Sequence, residues 1–128
     1  MRAGRGSSAG PKAERGSRPE RWSVESAGDD VAQLDIPADA SRERTFEVYC
    51  SLAVRRREGA SATHALRVLV DGAQEWSRRV PTHDGPSDTL EVRLRRTVPV
   101  GRPLRIGAIG QAEGAIVLRL SIVAEEED

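Results

Sequence analysis

Cys50 is the only cysteine in the chain. An intrachain disulfide is therefore excluded, as is a zinc site built from a cysteine cluster. Histidine is nearly as scarce, with His64 and His83 alone, so a hydrolytic triad or an imidazole metal centre has almost nothing to draw on. Aromatic residues make up 3% of the chain, too few to supply the successive stacking platforms of a single-strand nucleic-acid binder. No apolar run approaches the roughly 18 residues that cross a bilayer as a helix, and the first residues lack the hydrophobic segment of a secretory signal. A cytoplasmic location is the expectation that follows. Lysine occurs once, at Lys12, and every other basic residue is arginine.

The charge that is present is divided along the chain. The formal net charge is zero, yet residues 1–21 are strongly basic and Glu125, Glu126, Glu127 and Asp128 are all acidic. Residues 1–23 are rich in Gly, Ser, Arg and Pro without periodicity, which cannot bury enough apolar surface to offset the entropy of ordering. They read as a disordered basic arm, residues 24–124 as one folded domain, and residues 125–128 as an acidic tail.

Within 24–124 the dominant signal is alternation with a period of two, the mark of strands with one dry face. Phe46, Val48, Cys50, Leu52 and Val54 take five successive inward positions, with Glu47, Tyr49, Ser51, Ala53 and Arg55 outward. Val31 to Ile36 reads as a short edge strand ended by Pro37. Leu90, Val92 and Leu94 face inward from the strand 89–98. Leu104, Ile106 and Ala108 form a shorter one, where Gly107 and Gly110 suggest a bulge or a close backbone approach. Ile116, Leu118, Leu120 and Ile122 are placed inward on the last strand.

The strongest hairpin is HALRVLVDGAQEWSRRV, residues 64–80, with Asp71 and Gly72 supplying the positive φ of a tight turn. A two-residue loop pairs Val70 with Ala73 and puts Trp76 outside. A three-residue loop pairs Val68 with Trp76 and sends the indole inward, the preferred reading because large aromatics belong in cores. About seven strands and no helical period together predict an all-β antiparallel β-sandwich, jelly-roll or immunoglobulin-like.

The segment from HALRVLVDGAQEWSRRV to DTLEVRLRRTVPVGRPLRI, roughly residues 64–107, resembles carbohydrate-binding jelly rolls of the NPCBM type and galactose-binding-like domains. Asp71, Gly72 and Trp76 are the matching positions. The resemblance implies a sugar- or protein-binding sandwich without catalytic activity of its own.

Chemistry-bearing motifs are sparse. His83 and Asp84 with Ser77 or Ser87 have the residue types of a triad but no characteristic spacing. Asp29, Asp30, Asp35 and Asp39 follow no calcium-loop pattern, no phosphate-cradling glycine motif occurs, and no cofactor is implied. Three readings remain. The first is a non-catalytic module that binds another protein, with self-association through sheet edges as a variant. The second is a glycan site of Trp76, Arg78, His83 and Asp84. The third is nucleic-acid or anion contact through the basic arm and Arg55, Arg56 and Arg57.

Overall fold

The computed structural model describes residues 19–128; of the arm expected over residues 1–23, residues 1–18 lie outside them. The described chain forms eight strands: β1 (Arg21–Ser26), β2 (Val31–Ile36), β3 (Arg44–Arg56), β4 (Thr63–Val70), β5 (Ala73–Pro81), β6 (Asp88–Val98), β7 (Leu104–Glu113) and β8 (Ala115–Glu126). The first pairs with the last, β2 with β7, β3 with β6 and β4 with β5, all antiparallel. The chain is thus one long double ribbon bent back at the β4–β5 turn. Rolling that ribbon adds two further pairings, β3 with β8 and β4 with β7. The result is two four-stranded sheets, β1-β8-β3-β6 and β2-β7-β4-β5, which is the jelly-roll form of the expected sandwich.

Inward positions of both sheets make one core. Phe46, Val48, Cys50, Leu52 and Val54 are all buried, against Leu66, Val68, Ile106, Leu120 and Ile122. Burial pushes the Cys50 thiol up to about 12, so it packs as a small inert hydrophobe. The close approach expected around Gly107 and Gly110 is found at Gly110, where an added Cβ would lie 2.8 Å from Leu52 Cδ1 across the core.

Four details depart from the sequence reading. The strand absent from the count of about seven is β1, which opens at Arg21 inside the stretch assigned to the arm. Trp22 drives it: the indole pairs opposite Ala124 and is only 4% exposed, a burial worth on the order of 3 kcal/mol. Strand β7 is longer than expected, running to Glu113. At the central hairpin both loop readings hold in part. Asp71 (φ 51°) and Gly72 (φ 88°) form a two-residue turn with Val70 opposite Ala73, and an irregularity further on brings Trp76 opposite Val68. A bulge therefore turns the indole inward where a longer loop had been invoked. The fourth departure is in β8. The β3–β8 register shifts beyond Ala53, so Val54 meets Val117 and Leu118 becomes the extra residue. Val117 and Ala115 pack on the core, while Ile116 and Leu118, expected inside, do not join it, because one inserted residue exchanges the faces.

The charged ends of the sequence are built into the fold. Strand β8 runs to Glu126, into the stretch read as an acidic tail. Glu126 Oε1 accepts hydrogen bonds from Arg42 Nη2 (2.9 Å) and the Glu20 amide (2.9 Å), and Glu126 Oε2 pairs with Arg42 Nη1. Glu20 Oε1 accepts from Arg44 Nη1 at 2.8 Å and from the Trp22 indole at 2.9 Å. Arg44 is 2% exposed, donates to the Pro37 carbonyl at 2.8 Å and lies 5.4 Å from the Phe46 ring centre. This cluster fastens the start of β1, the end of β8 and the β2–β3 connection together.

Candidate functional site

The sandwich is closed along one side and open along the other. On the closed side β1 lies against β2, and Trp22 of β1 is buried in the core. On the open side β5 and β6 are edge strands of opposite sheets, each with one hydrogen-bonded neighbour among the described residues. Register assigns their inner faces. Trp76, Arg78 and Val80 sit opposite the buried Val68, Leu66 and His64. Val92, Leu94 and Arg96 sit opposite the buried Cys50, Val48 and Phe46. These residues should be as dry as their neighbours. Instead Trp76, Val80, Val92, Leu94 and Arg96 are half-buried and Arg78 is exposed.

The gap is spanned by an ion pair between Arg96 and Glu75. Arg78 makes no ion pair among the described residues. The outer face of β6 is basic but engaged: Arg95 binds Glu127 at 2.7 Å, and Arg93 lies 3.6 Å from Glu47 and 5.0 Å from the Tyr49 ring centre. Among the described residues the open side is therefore a row of half-buried apolar side chains with one guanidinium that makes no ion pair, between two edge strands whose outer backbone groups lack a strand partner.

The sequence-derived candidates fall in separate places. Trp76 and Arg78 share the inner face of β5 on the open side. His83 and Asp84 lie in the exposed loop beyond Pro81, where the His83 amide donates to Asp88 Oδ2 at 2.9 Å. Asp84 binds Arg56 Nε at 2.9 Å, which joins one residue of the supposed glycan set to one of the anion set. Arg55 and Arg56, adjacent on a strand, occupy opposite faces of β3, and Arg57 belongs to the following turn, its amide donating to the Gly114 carbonyl at 2.8 Å. They do not form one cationic patch. Val80, Val92, Leu94 and Arg96 complete the open side without having been identified as site residues. The adjacent pair Arg95 and Arg96 carried a signal, since two neighbours on a strand cannot both face solvent.

A concavity of about 580 Å³ lies where the β4–β5 turn meets the end of β2 and the start of β7. Its charges are consumed internally. Arg105 Nε binds Asp35 Oδ1 at 2.7 Å and the Arg105 amide binds Asp71 Oδ1 at 2.9 Å. The Arg105 hydrogen bond, then that of Gln33, holds Asp35 below the ordinary carboxylate value.

His64 is fully buried at the start of β4, sharing a 2.7 Å hydrogen bond between Nδ1 and Thr82 Oγ1, while Nε2 has no partner among the described residues. Burial lowers its pKa, outweighing the pull of Asp88, and His83 acts in the same direction as burial. The unfolded chain therefore takes up a proton near the ordinary value of about 6.5, where the folded protein resists it. Stability is full above that pH and falls as the pH drops toward the lowered folded value. The urea midpoint is expected to decrease between pH 7.5 and 5.5, and His64→Asn to flatten that decrease; an unchanged slope in the variant refutes the assignment.

No protein-family model matches the chain, and no curated protein does. Among solved structures, the chain is similar to dimeric latent PorU from Porphyromonas gingivalis, at 14% identity and TM-score 0.47, over 85% of this chain and 13% of that one. It is similar to the protein of the T13 particle of IBDV, at 12% identity and TM-score 0.39, over 86% of this chain and 36% of that one. For the Gt strain of infectious bursal disease virus the values are 16% and 0.39, over 84% and 32%. The chain spans well under two thirds of the length of each of these proteins, and likenesses this distant assign it no family.

Proposed function

We propose that this chain is a non-catalytic jelly-roll interaction module that binds another protein chain along its open side. One observation carries the reading: Trp76, Val80, Val92 and Leu94 belong by register to the core yet stay half-exposed between two unpaired edges. An extended segment that hydrogen-bonds to an edge and lays apolar side chains against that row would bury what the chain leaves wet. Arg78 adds a charge that a partner carboxylate would satisfy.

The glycan reading has less support. Trp76 packs against the core, and His83 and Asp84 lie in the loop past the end of β5. The nucleic-acid reading is weakened by the scattering of Arg55, Arg56 and Arg57.

The test compares the immobilised full chain with its Leu94→Glu variant as bait for proteins of the native cell. Leu94 is half-buried against the core, so intrinsic tryptophan fluorescence and the urea midpoint first verify that the variant is folded. The wild type is expected to retain a protein that the variant releases. Identical retention by both overturns the reading.

A further inference from the structure

The open side has a feature that selects among partners. Antiparallel neighbours share a face, so two copies of β6 can pair only with a residue on the two-fold axis, and each choice of residue fixes every other pair. An axis through Glu91 stacks two glutamates, and an axis through Arg93 stacks two arginines. One through Leu94 sets Arg93 against Arg95. An axis through Val92 is different: Glu91 faces the partner subunit's Arg93, Asp88 faces the partner subunit's Arg96, and Leu90 faces the partner subunit's Leu94. No like charges meet in that register, and on the inner face Val92 meets its own copy and Leu90 meets Leu94, with the ion pair of Asp88 and Arg96 beyond them; an axis through Leu90 also avoids like charges but sets Asp88 against the partner subunit's Val92.

We infer that the partner of the open side is a second copy of this chain, joined through antiparallel pairing of β6 with Val92 on the two-fold axis. The inference rests on the reading of the open side as a protein-binding surface. Three observations support it. Among the described residues strand β6 has β3 as its single neighbour, so its outer backbone groups have no strand partner there. Val92 and Leu94 are half-buried, though their β3 partners Cys50 and Val48 are dry. Glu91 is exposed and makes no ion pair among the described residues. Pairing would join the β1-β8-β3-β6 sheets of two molecules into one continuous sheet, closing an edge that otherwise invites uncontrolled association.

The geometry makes a covalent test available. Residues directly opposite across an antiparallel pair have Cα atoms about 4.5 to 5.5 Å apart, inside the window of about 4.4 to 6.8 Å for a disulfide. Full-length Val92→Cys is expected to form a disulfide-linked dimer under mild oxidation. Thr89→Cys should not, because in this register the two copies of position 89 are separated by roughly 20 Å along the strands. Cys50 is buried and does not compete. For the unmodified chain, light scattering at rising concentration should move from 13.9 kDa toward twice that mass, and Glu91→Arg, which sets an arginine against the partner's Arg93, should hold it at the monomer value.

A mass that stays at 13.9 kDa at every concentration, or cross-linking of Val92→Cys no faster than of Thr89→Cys, overturns the inference. The two levels of the proposal fail separately. A wild type that never dimerises but still retains some other protein, lost on Leu94→Glu, rejects the second copy and keeps the module. If capture returns this chain itself, both stand.

Discussion

Replacing Gly114 by alanine is expected to lower the unfolding free energy by about 2 to 5 kcal/mol, through left-handed strain of about 1 to 2 kcal/mol and overpacking of about 1 to 3 kcal/mol. Gly114 holds φ at +69° in the connection between β7 and β8. A Cβ there would lie 2.1 Å from the Ser61 carbonyl oxygen, 3.0 Å from its carbon and 3.2 Å from Ala62 Cα. These are backbone atoms, and no side-chain rotation relieves the clash. The β3–β4 loop would have to withdraw, disturbing the bond from the Arg57 amide to the Gly114 carbonyl and that from the Thr82 amide to the Ala62 carbonyl. Gly72→Ala isolates the conformational part, since Gly72 has φ +88° but no atom within 4 Å of its virtual Cβ; it should cost only about 1 to 2 kcal/mol. Urea unfolding of both variants gives the comparison. Equal losses would show that the contact with Ser61 does not matter.

Glu20→Ala is expected to cost about 3 to 5 kcal/mol, the range for removing one partner of a buried ion pair. Arg44 is 2% exposed, and its carboxylate partner among the described residues is Glu20, whose side chain is 11% exposed. The alanine variant strands that guanidinium, already carrying an unpartnered Nε, and frees the buried Trp22 indole from its acceptor. Against a domain stability of about 5 to 15 kcal/mol such a loss is visible in any denaturation curve. Replacing both partners, as Glu20→Ala with Arg44→Met, removes the stranded charge and should restore more than half of it. A double variant no more stable than the single one would mean that the glutamate acts through something other than Arg44.

How much of this was readable in the residues depends on the reach of each interaction. Strand β3 was legible from Phe46 to Val54 because one face is wet and the other dry, so its pattern is local. The turn at Asp71 and Gly72 was legible because positive φ restricts residue type at the turn itself. Trp22 was not, because the strand that buries it ends more than a hundred residues later, and nothing in GSRPERWS announces a partner at Ala124. The same distance hid Glu20 and Glu126, which read as parts of two solvated tails. Ile116 and Leu118 were misplaced by a bulge that depends on β3, not on β8 alone. The face of Trp76 was anticipated, but a bulge sets it and not a longer loop. Of the candidate site, Trp76 and Arg78 were legible as residues. That they face Val92 and Leu94 across an open gap follows only from the rolling of the ribbon, which makes edges of β5 and β6.

The pairing of the first strand with the last has a mechanical consequence. The Glu126 amide donates to the Glu20 carbonyl at 2.8 Å, so the two ends of the domain leave from neighbouring points at one corner. A force pulling them apart loads the β1–β8 hydrogen bonds one after another, as a zipper opens, and never all at once as in shear. The molecule should therefore yield at low tension once the clasp of Arg42 between Glu20 and Glu126 lets go.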